Sequence, residues 1–254
     1  MSATRAGCAA IVTAAGSGNR LGAGIPKALV EVGGQPMLAY AVASMALAGI
    51  PTIIVTAPAD QLAAFEAVVA DEQLQAAAAR AWPALGHPPS IEVRIAAGGA
   101  SRQASVAAGL EVLAEMERPD VILVHDAARP LTPPEMIARL ADAVSEEQGA
   151  VIPGLAVADT LKRVDDDGFV TGIIERADLR AIQTPQAFRA DLLARAHAYG
   201  AARASDEALA ATDDAGLVEA MGEAVRVIEG DAAARKITTA ADLAALELRL
   251  AALG

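Results

Sequence analysis

The chain has 254 residues, 54% hydrophobic but only 2% aromatic, enough for one sizeable α/β domain packed with Val, Ile, Leu and Ala. Its net charge of −12, from 20 Lys and Arg against 32 Asp and Glu, excludes a basic footprint for nucleic acid, so any cations that matter act locally. A single cysteine, Cys8, excludes an internal disulfide framework and a cysteine-based zinc site. No basic-then-apolar leader and no run of about 18 apolar residues is visible, so a cytoplasmic, soluble protein with no membrane partner is expected.

Residues 8–13 form a short apolar run that reads as a buried first strand, with Cys8 a small buried hydrophobe. The run leads into Ala14-Ala15-Gly16-Ser17-Gly18-Asn19-Arg20-Leu21-Gly22, followed by Pro26-Lys27. A small-residue turn after a first strand lets backbone N–H groups approach a ligand and donate to phosphate oxygens. Arg20 and Lys27 add fixed positive charge beside it. Such a loop suits a nucleoside triphosphate and the charge that builds up when its phosphorus is attacked. Two better-known glycine loops do not fit. A P-loop needs Ser or Thr after its Lys, and Lys27 precedes Ala28. A dinucleotide loop needs its third glycine one position before Gly22, and an acidic residue closer to the second strand than Asp60. The bland alternative is a turn with no ligand, which the clustered Arg and Lys disfavour.

Residues 36–49 read as a helix with Met37, Leu38, Val42, Met45 and Ala46 on one face. Residues 52–56 are the second strand, and 60–79 are helical with the alanines at 76–79 on the helix surface. A third strand at 91–96 leads through Gly98-Gly99 into a helix at 101–116, where Ser101 or Ser105 can cap the helix or read a base edge. A fourth strand at 121–125, a helix at 133–145 and a fifth strand at 150–153 follow. This alternation implies one α/β domain over 1–254, with a mainly parallel twisted sheet flanked by helices. In open sheets ligands bind beyond the carboxyl ends of the strands, which favours Asp126 and Arg129 in His125-Asp126-Ala127-Ala128-Arg129-Pro130. Arg129 can hold a substrate phosphate bidentately, and Asp126 can take a substrate hydroxyl or lie close to a metal. His125 faces the other side and reads as structural; His87 and His197 read as unremarkable.

Two alternating segments flank Asp167-Gly168, a strong hairpin signal. A hairpin at about 156–178 cannot bury both faces in a parallel α/β core. It is expected to project as an arm against a second subunit, since two strands alone are marginal; pairing at a sheet edge is the alternative. Arg176 alone reads as a surface charge, and Lys236 lies in a short strand at 235–239 before a helix starting near Ala240.

Six motifs then stand in order: A-A-G-x-G-x-R-x-G-x-x-x-P-K, G-G-x-x-R-x-x-S-V, V-H-D-A-A-R-P, D-T-x-K-R, T-P-Q-x-F and K-I-T. Over residues 10–243 this series resembles the 2-C-methyl-D-erythritol 4-phosphate cytidylyltransferase family. The wider nucleotidyltransferases share only the first loop, and ribitol-5-phosphate cytidylyltransferases usually carry Ser-Val where this chain has Ala127-Ala128. The resemblance implies a Rossmann-like nucleotidyltransferase fold with a protruding β-hairpin arm that crosses to the partner of a homodimer. It implies transfer of CMP from CTP to methylerythritol phosphate, with Mg²⁺ and release of pyrophosphate. By the same resemblance Arg20, Lys27 and Lys236 are catalytic. The backbone at Ala14, Ala15, Gly16 and Gly18 cradles CTP, and Gly98, Gly99 and Ser105 recognise cytosine. Asp126, Arg129, Thr160 and Arg176 hold the acceptor, and no protein ligand of the metal is assigned. The chain departs from the family pattern at Ala104, Ala234 and Arg180, where an acidic residue, Asn and Trp are common. Transfer to another polyol phosphate such as ribitol 5-phosphate, or nucleotide binding without turnover, are the competing readings.

Overall fold

The apolar run at the start of the chain forms β1 (Cys8–Thr13), the strand about which the others are arranged. This computed structural model describes residues 4–16, 24–116, 118–206 and 208–253. After β1 come β2 (Glu31–Val32), β3 (Gln35–Pro36), α1 (Met37–Leu47), β4 (Thr52–Ala57), α2 (Leu62–Val68), α3 (Asp71–Ala81) and β5 (Glu92–Ala97). Then follow α4 (Arg102–Ala114), β6 (Val121–Asp126), α5 (Pro134–Ala143), β7 (Ala150–Ala156), β8 (Leu161–Val164) and β9 (Val170–Ile174). The chain ends with β10 (Arg180–Ile182), β11 (Gln186–Arg189), α6 (Ala190–Gly200), α7 (Asp214–Ala220), β12 (Arg226–Glu229) and α8 (Ala240–Ala251).

Strands β5, β4, β1 and β6 lie side by side in parallel. Antiparallel β11 bridges β6 to β7, β10 is antiparallel to β7, and β12 pairs with β7 in parallel. The expected mainly parallel sheet flanked by helices is present, with two short antiparallel strands added. Every residue from Ala9 to Val12 is buried, as a strand covered on both faces must be. Ala10 and Val12 join the core built with α1, α3 and α5, while Ala9 and Ile11 join the one built with α4, α6 and α7. Cys8, at the strand's start, is only half-buried. All eleven residues of α1 are buried, so its apolar residues cover the whole circumference rather than the single expected face.

Two further expectations are corrected. The helix at 60–79 is two helices, with Ala70 extended between them. Asp71 and Glu72 then open α3, where negative charge suits the N-terminal dipole. Within that alanine run Ala77 and Ala78 are buried, so it faces the core in part.

Strands β8 and β9 pair with each other and with no strand of the large sheet. In their turn the Gly168 N–H donates to the Asp165 carbonyl at 3.0 Å, and Gly168 has φ 85°, a region that glycine enters without steric cost. Val164, Phe169, Val170 and Ile173 on this hairpin are all exposed. The chain leaves β1 for β4 and β5 on one side and returns to β6 on the other. The carboxyl ends of β1 and β6 therefore form the switch point where an open α/β sheet receives ligands. Among the described residues no helix is long and apolar enough to cross a membrane.

Candidate active site

Two small-residue loops meet above the strand ends. The Ala14 N–H donates to the Thr56 carbonyl at 2.9 Å, and the Gly98 N–H to the Ala57 carbonyl at 2.7 Å, so each loop is tied to β4 or its end. A Cβ on Gly98 would lie 2.8 Å from the Cβ of Ala15 and 3.0 Å from Oγ of Ser105, closer than side chains pack. Glycine is thus what allows the loop after β5 to lie against the loop after β1. The choice of cap left open by the sequence falls to Ser101, whose Oγ accepts from the Ala104 N–H at 3.0 Å. Ser105 lies beneath the turn: its Oγ accepts from the Gly99 N–H at 3.1 Å and donates to the Ser101 carbonyl at 2.9 Å. Ala15 is half-buried and Gly16 exposed, and Lys27 opens a short 3-10 turn, Lys27–Leu29. Gly18 and Arg20 lie outside the described residues.

The end of β6 carries a buried carboxylate ringed by cations. Lys236 Nζ lies 2.7 Å from Asp126 Oδ2, Arg102 Nε 3.0 Å from Oδ1, and Arg129 Nε 4.0 Å from Oδ2. Burial works against the Asp126 charge, but Arg102 and Lys236 together hold its carboxyl well below the usual carboxylate range. Burial also lowers the Arg129 pKa, with Asp126 opposing and Arg102 adding to the fall. The guanidinium of Arg129 is steadied by the backbone, donating to the Ala234 carbonyl at 2.7 Å and the Ile182 carbonyl at 3.4 Å. Its Nε, and Nη2 of Arg102, are buried without a hydrogen-bond acceptor among the described residues. Buried donors left unmade are costly, so an anionic ligand would be bound with gain.

Lys236 is held differently from the expectation. Residues 235–238 are an irregular loop, not a strand. The Ile237 N–H donates to the Ala128 carbonyl at 2.8 Å, which ties the loop to the segment after β6. Downstream, Asp242 accepts from the Thr238 and Thr239 N–H groups at 3.0 and 2.9 Å, and Thr239 caps α8 in return. The donors that a strand would offer to a neighbour are therefore taken by a helix cap. His125 is fully buried and structural, as expected. Its Nε2–H donates to the Arg129 carbonyl at 3.3 Å, and its Nδ1 accepts from Thr184 Oγ1 at 3.0 Å. Burial pushes its pKa down to about 4, so the neutral ring matches both bonds. Thr184 Oγ1 in turn accepts from the Asp126 N–H at 3.1 Å.

Thr160 and Arg176, at either end of the hairpin, are exposed, and their side chains make no hydrogen bond or ion pair among the described residues. The structure brings Asp126, Arg129 and Lys236 together, and Ala15 with Gly98 and Ser105, but it does not bring Thr160 or Arg176 to either group.

The family model of 2-C-methyl-D-erythritol 4-phosphate cytidylyltransferase matches residues 8–252 of this chain. The chain belongs to that family. A protein of that name from Nocardia farcinica is 46% identical over 244 residues, covering 95% of this chain and 93% of the relative. A bifunctional IspD/IspF enzyme of Clavibacter michiganensis is 48% identical over 92% of this chain, and the chain spans only 52% of that relative. Among solved structures, the 4-diphosphocytidyl-2C-methyl-D-erythritol synthase of Anaerococcus prevotii is similar with a TM-score of 0.75 at 28% identity, covering 96% of this chain and 98% of that one. The cytidylyltransferase of Thermus thermophilus gives 0.70 at 31% identity, covering 99% and 100%. As a member of this cytidylyltransferase family the chain is a nucleotidyltransferase.

The cluster also contains residues that sequence reasoning misses: in the sequence Arg102 is only a letter of the second motif, Asp214 carries no signal and His197 reads as unremarkable. Yet Arg102 Nη1 lies 2.7 Å from Asp214 Oδ2, and His197 Nε2 donates to Asp214 Oδ1 at 2.9 Å. The available signal was an arginine in the first turn of α4, where the helix dipole disfavours positive charge. For Mg²⁺ the donors among the described residues do not form a cage. Among the described residues no three His, Cys, Asp or Glu side chains could hold a metal, and both oxygens of Asp126 already face cations. Magnesium held mainly by substrate phosphates and water needs no such cage.

Proposed function

We propose that this chain transfers CMP from CTP to 2-C-methyl-D-erythritol 4-phosphate, giving 4-diphosphocytidyl-2-C-methyl-D-erythritol and pyrophosphate for isoprenoid precursor synthesis by the non-mevalonate route. The observation that carries the reading is the cluster of Arg102, Arg129 and Lys236 around one buried carboxylate at the strand ends of a chain with net charge −12. The acceptor's phosphate oxygen attacks the α-phosphorus of CTP, forming one P–O bond while the bond to the departing pyrophosphate breaks. A phosphate monoester is already anionic at neutral pH, so the step needs no general base and no covalent enzyme intermediate. Positioning and electrostatics carry the catalysis.

In this reading the backbone of Ala14, Ala15, Gly16 and Gly18 faces the triphosphate, and Arg20 and Lys27 neutralise the charge that grows on it. Gly98 and Gly99 leave room for the cytosine edge, with Ser105 supporting them. Arg129 and Lys236 draw in the acceptor phosphate, and Asp126 accepts from an acceptor hydroxyl. Mg²⁺ arrives as the counter-ion of the triphosphate. Thr160 and Arg176 complete the acceptor site of a second subunit, which makes the working form a homodimer joined through the hairpin. The cytoplasm is its place of work.

The test is pyrophosphate release from CTP and Mg²⁺ with methylerythritol phosphate, with ribitol 5-phosphate, or with no acceptor, in wild type and Lys27→Ala. Release with methylerythritol phosphate alone, lost in the variant, is the expected result. Release only with ribitol 5-phosphate would overturn the acceptor, and release with none would overturn the transfer.

A further inference from the structure

The cation ring around Asp126 is one end of a longer chain of polar contacts. From its buried end run His197 on α6, Asp214 at the start of α7, Arg102 at the start of α4, then Asp126 and the partly exposed Lys236. The successive separations are 2.9, 2.7, 3.0 and 2.7 Å. Asp214 is 1% exposed. Burial works against its charge, and Arg102 and then His197 hold its pKa low. Asp214 divides its two oxygens between His197 and Arg102. On Asp126, Oδ1 takes Arg102 with Thr13 Oγ1 at 3.4 Å, and Oδ2 takes Lys236 with Arg129 Nε 4.0 Å away.

The frame that carries this chain is fixed independently of it. Asp213 caps α7, accepting from the Gly216 N–H at 3.0 Å and from Gln186 Nε2 at 2.8 Å. Gln186 Oε1 accepts from the Ala215 N–H at 3.1 Å. Gln186 itself stands in β11 opposite Val124 of β6, two residues before Asp126. Both carboxylates are thus registered on one pair of strands. The start of α4 is tied to the end of α6 and the segment that follows it. Gln103 Nε2 donates to the Gly200 carbonyl at 3.0 Å, Gln103 Oε1 accepts from the Ala211 N–H at 2.9 Å, and Ser101 Oγ donates to the Ala204 carbonyl.

A planar guanidinium bridging two carboxylates through Nε and Nη1 fixes the rotation of both, which an ammonium could not do. The geometry points to Arg102, Asp214 and His197 as positioning residues. They clamp Oδ1 of Asp126 so that Oδ2 stays with Lys236 and the carboxylate meets the acceptor in one orientation. This rests on the reading of Asp126 as an acceptor contact. None of the three is assigned to touch the reacting atoms.

The consequence is selective. Loosening the clamp should weaken the acceptor and leave CTP alone. We would compare wild type with Asp214→Asn, Arg102→Lys and their double variant, measuring steady-state kinetics with Mg²⁺ and CTP binding by calorimetry. The expected result is a rise of about tenfold or more in the acceptor KM, with the CTP Kd within about twofold of wild type. The double variant should be no worse than Arg102→Lys, because residues acting through one network are not additive. His197→Leu and His197→Gln give a milder pair should Asp214→Asn fail to fold. Leucine should raise the acceptor KM, and glutamine, which can still donate to Asp214, should restore it. Equal losses on both substrates, additive effects, or an unchanged acceptor KM in Arg102→Lys would overturn the proposal. If wild type uses ribitol 5-phosphate instead of methylerythritol phosphate, the proposed function falls, and the same KM split on ribitol 5-phosphate still decides the clamp. Wild type inactive with every acceptor would overturn both.

Discussion

Asp126 and Thr160 are both proposed to meet the acceptor, yet their surroundings are opposite. Asp126 ends a buried strand, its carboxylate 9% exposed and within reach of three cations drawn from α4, the loop after β6 and the loop before α8. Thr160 stands exposed at the foot of a hairpin that pairs only with itself. The first geometry is determined by this chain alone. The second has no determinant within the described residues, so whatever orders Thr160 and Arg176 over a site lies outside them. The difference teaches that stability and activity should be coupled at the strand ends and separable on the hairpin.

The sharpest break of that contrast is Asp126→Ala. Removing one partner of a buried ion pair leaves the others uncompensated and costs about 3–5 kcal/mol. Denaturant unfolding should show that loss, and pyrophosphate release should disappear with it. A variant that kept wild-type stability would mean that the cation ring is held by other groups. Lys27→Ala probes the same site from the loop side. It should cost about 10²–10³-fold in turnover, as loss of one preorganised donor does, read as pyrophosphate release.

His125 tests the coupling through pH. Its folded pKa of about 4 lies below the ordinary 6.5, so the unfolded chain binds the proton first. Stability from the neutral ring is fully present above pH 6.5 and is lost as pH falls towards 4, by about 3 kcal/mol in all. The depressed carboxyls of Asp126 and Asp214 act in a lower window, since their contribution is lost only below the ordinary carboxylate value of 3.8. Unfolding free energies between pH 7.5 and 4 should therefore fall in wild type and stay flatter in His125→Gln. Parallel slopes in the two proteins would remove His125 as the cause.

How much of this was legible follows from how local each signal is. β1 and β6 are continuous apolar runs that stop at glycine or at a charged residue, so their ends, and with them Ala14 to Gly16 and Asp126, can be read from a few neighbours. Gly98 before Ser101 and Gly168 after Asp167 are equally local, and both turns stand where expected. Strands β10, β11 and β12 are three or four residues long and contain Arg180, Gln186 and Arg226. Their pairing to β6 or β7 is what makes them strands, and no short window contains it. The loop at 235–238 misled for the same reason: Ile237 and Thr238 have β-branched side chains, but their N–H groups go to Ala128 and Asp242. Arg102, Asp214 and His197 lie 112 residues and 17 residues apart in sequence, so their meeting is a property of the packed fold alone.

The smallest expected effect on stability is the most telling for the hairpin. Val164, Phe169, Val170 and Ile173 are 59–71% exposed on a hairpin that pairs only with itself. A two-stranded unit of this kind is marginal alone, and its apolar side chains are explained if a second copy covers them. Ile173→Asp should then shift wild-type dimers to monomers in light scattering. Denaturant unfolding of the dissociated chain should change by no more than about 0.5 kcal/mol, as expected for an exposed position. Arg176→Ala should keep the dimer and raise the acceptor KM. If Ile173→Asp dissociates the protein and abolishes turnover while Asp126 and its cations stay folded, each subunit's buried carboxylate depends on its partner's hairpin for the other half of the acceptor site. A wild-type monomer with full turnover would instead mean that Thr160 and Arg176 have no part in the reaction, because no contact among the described residues holds them over it.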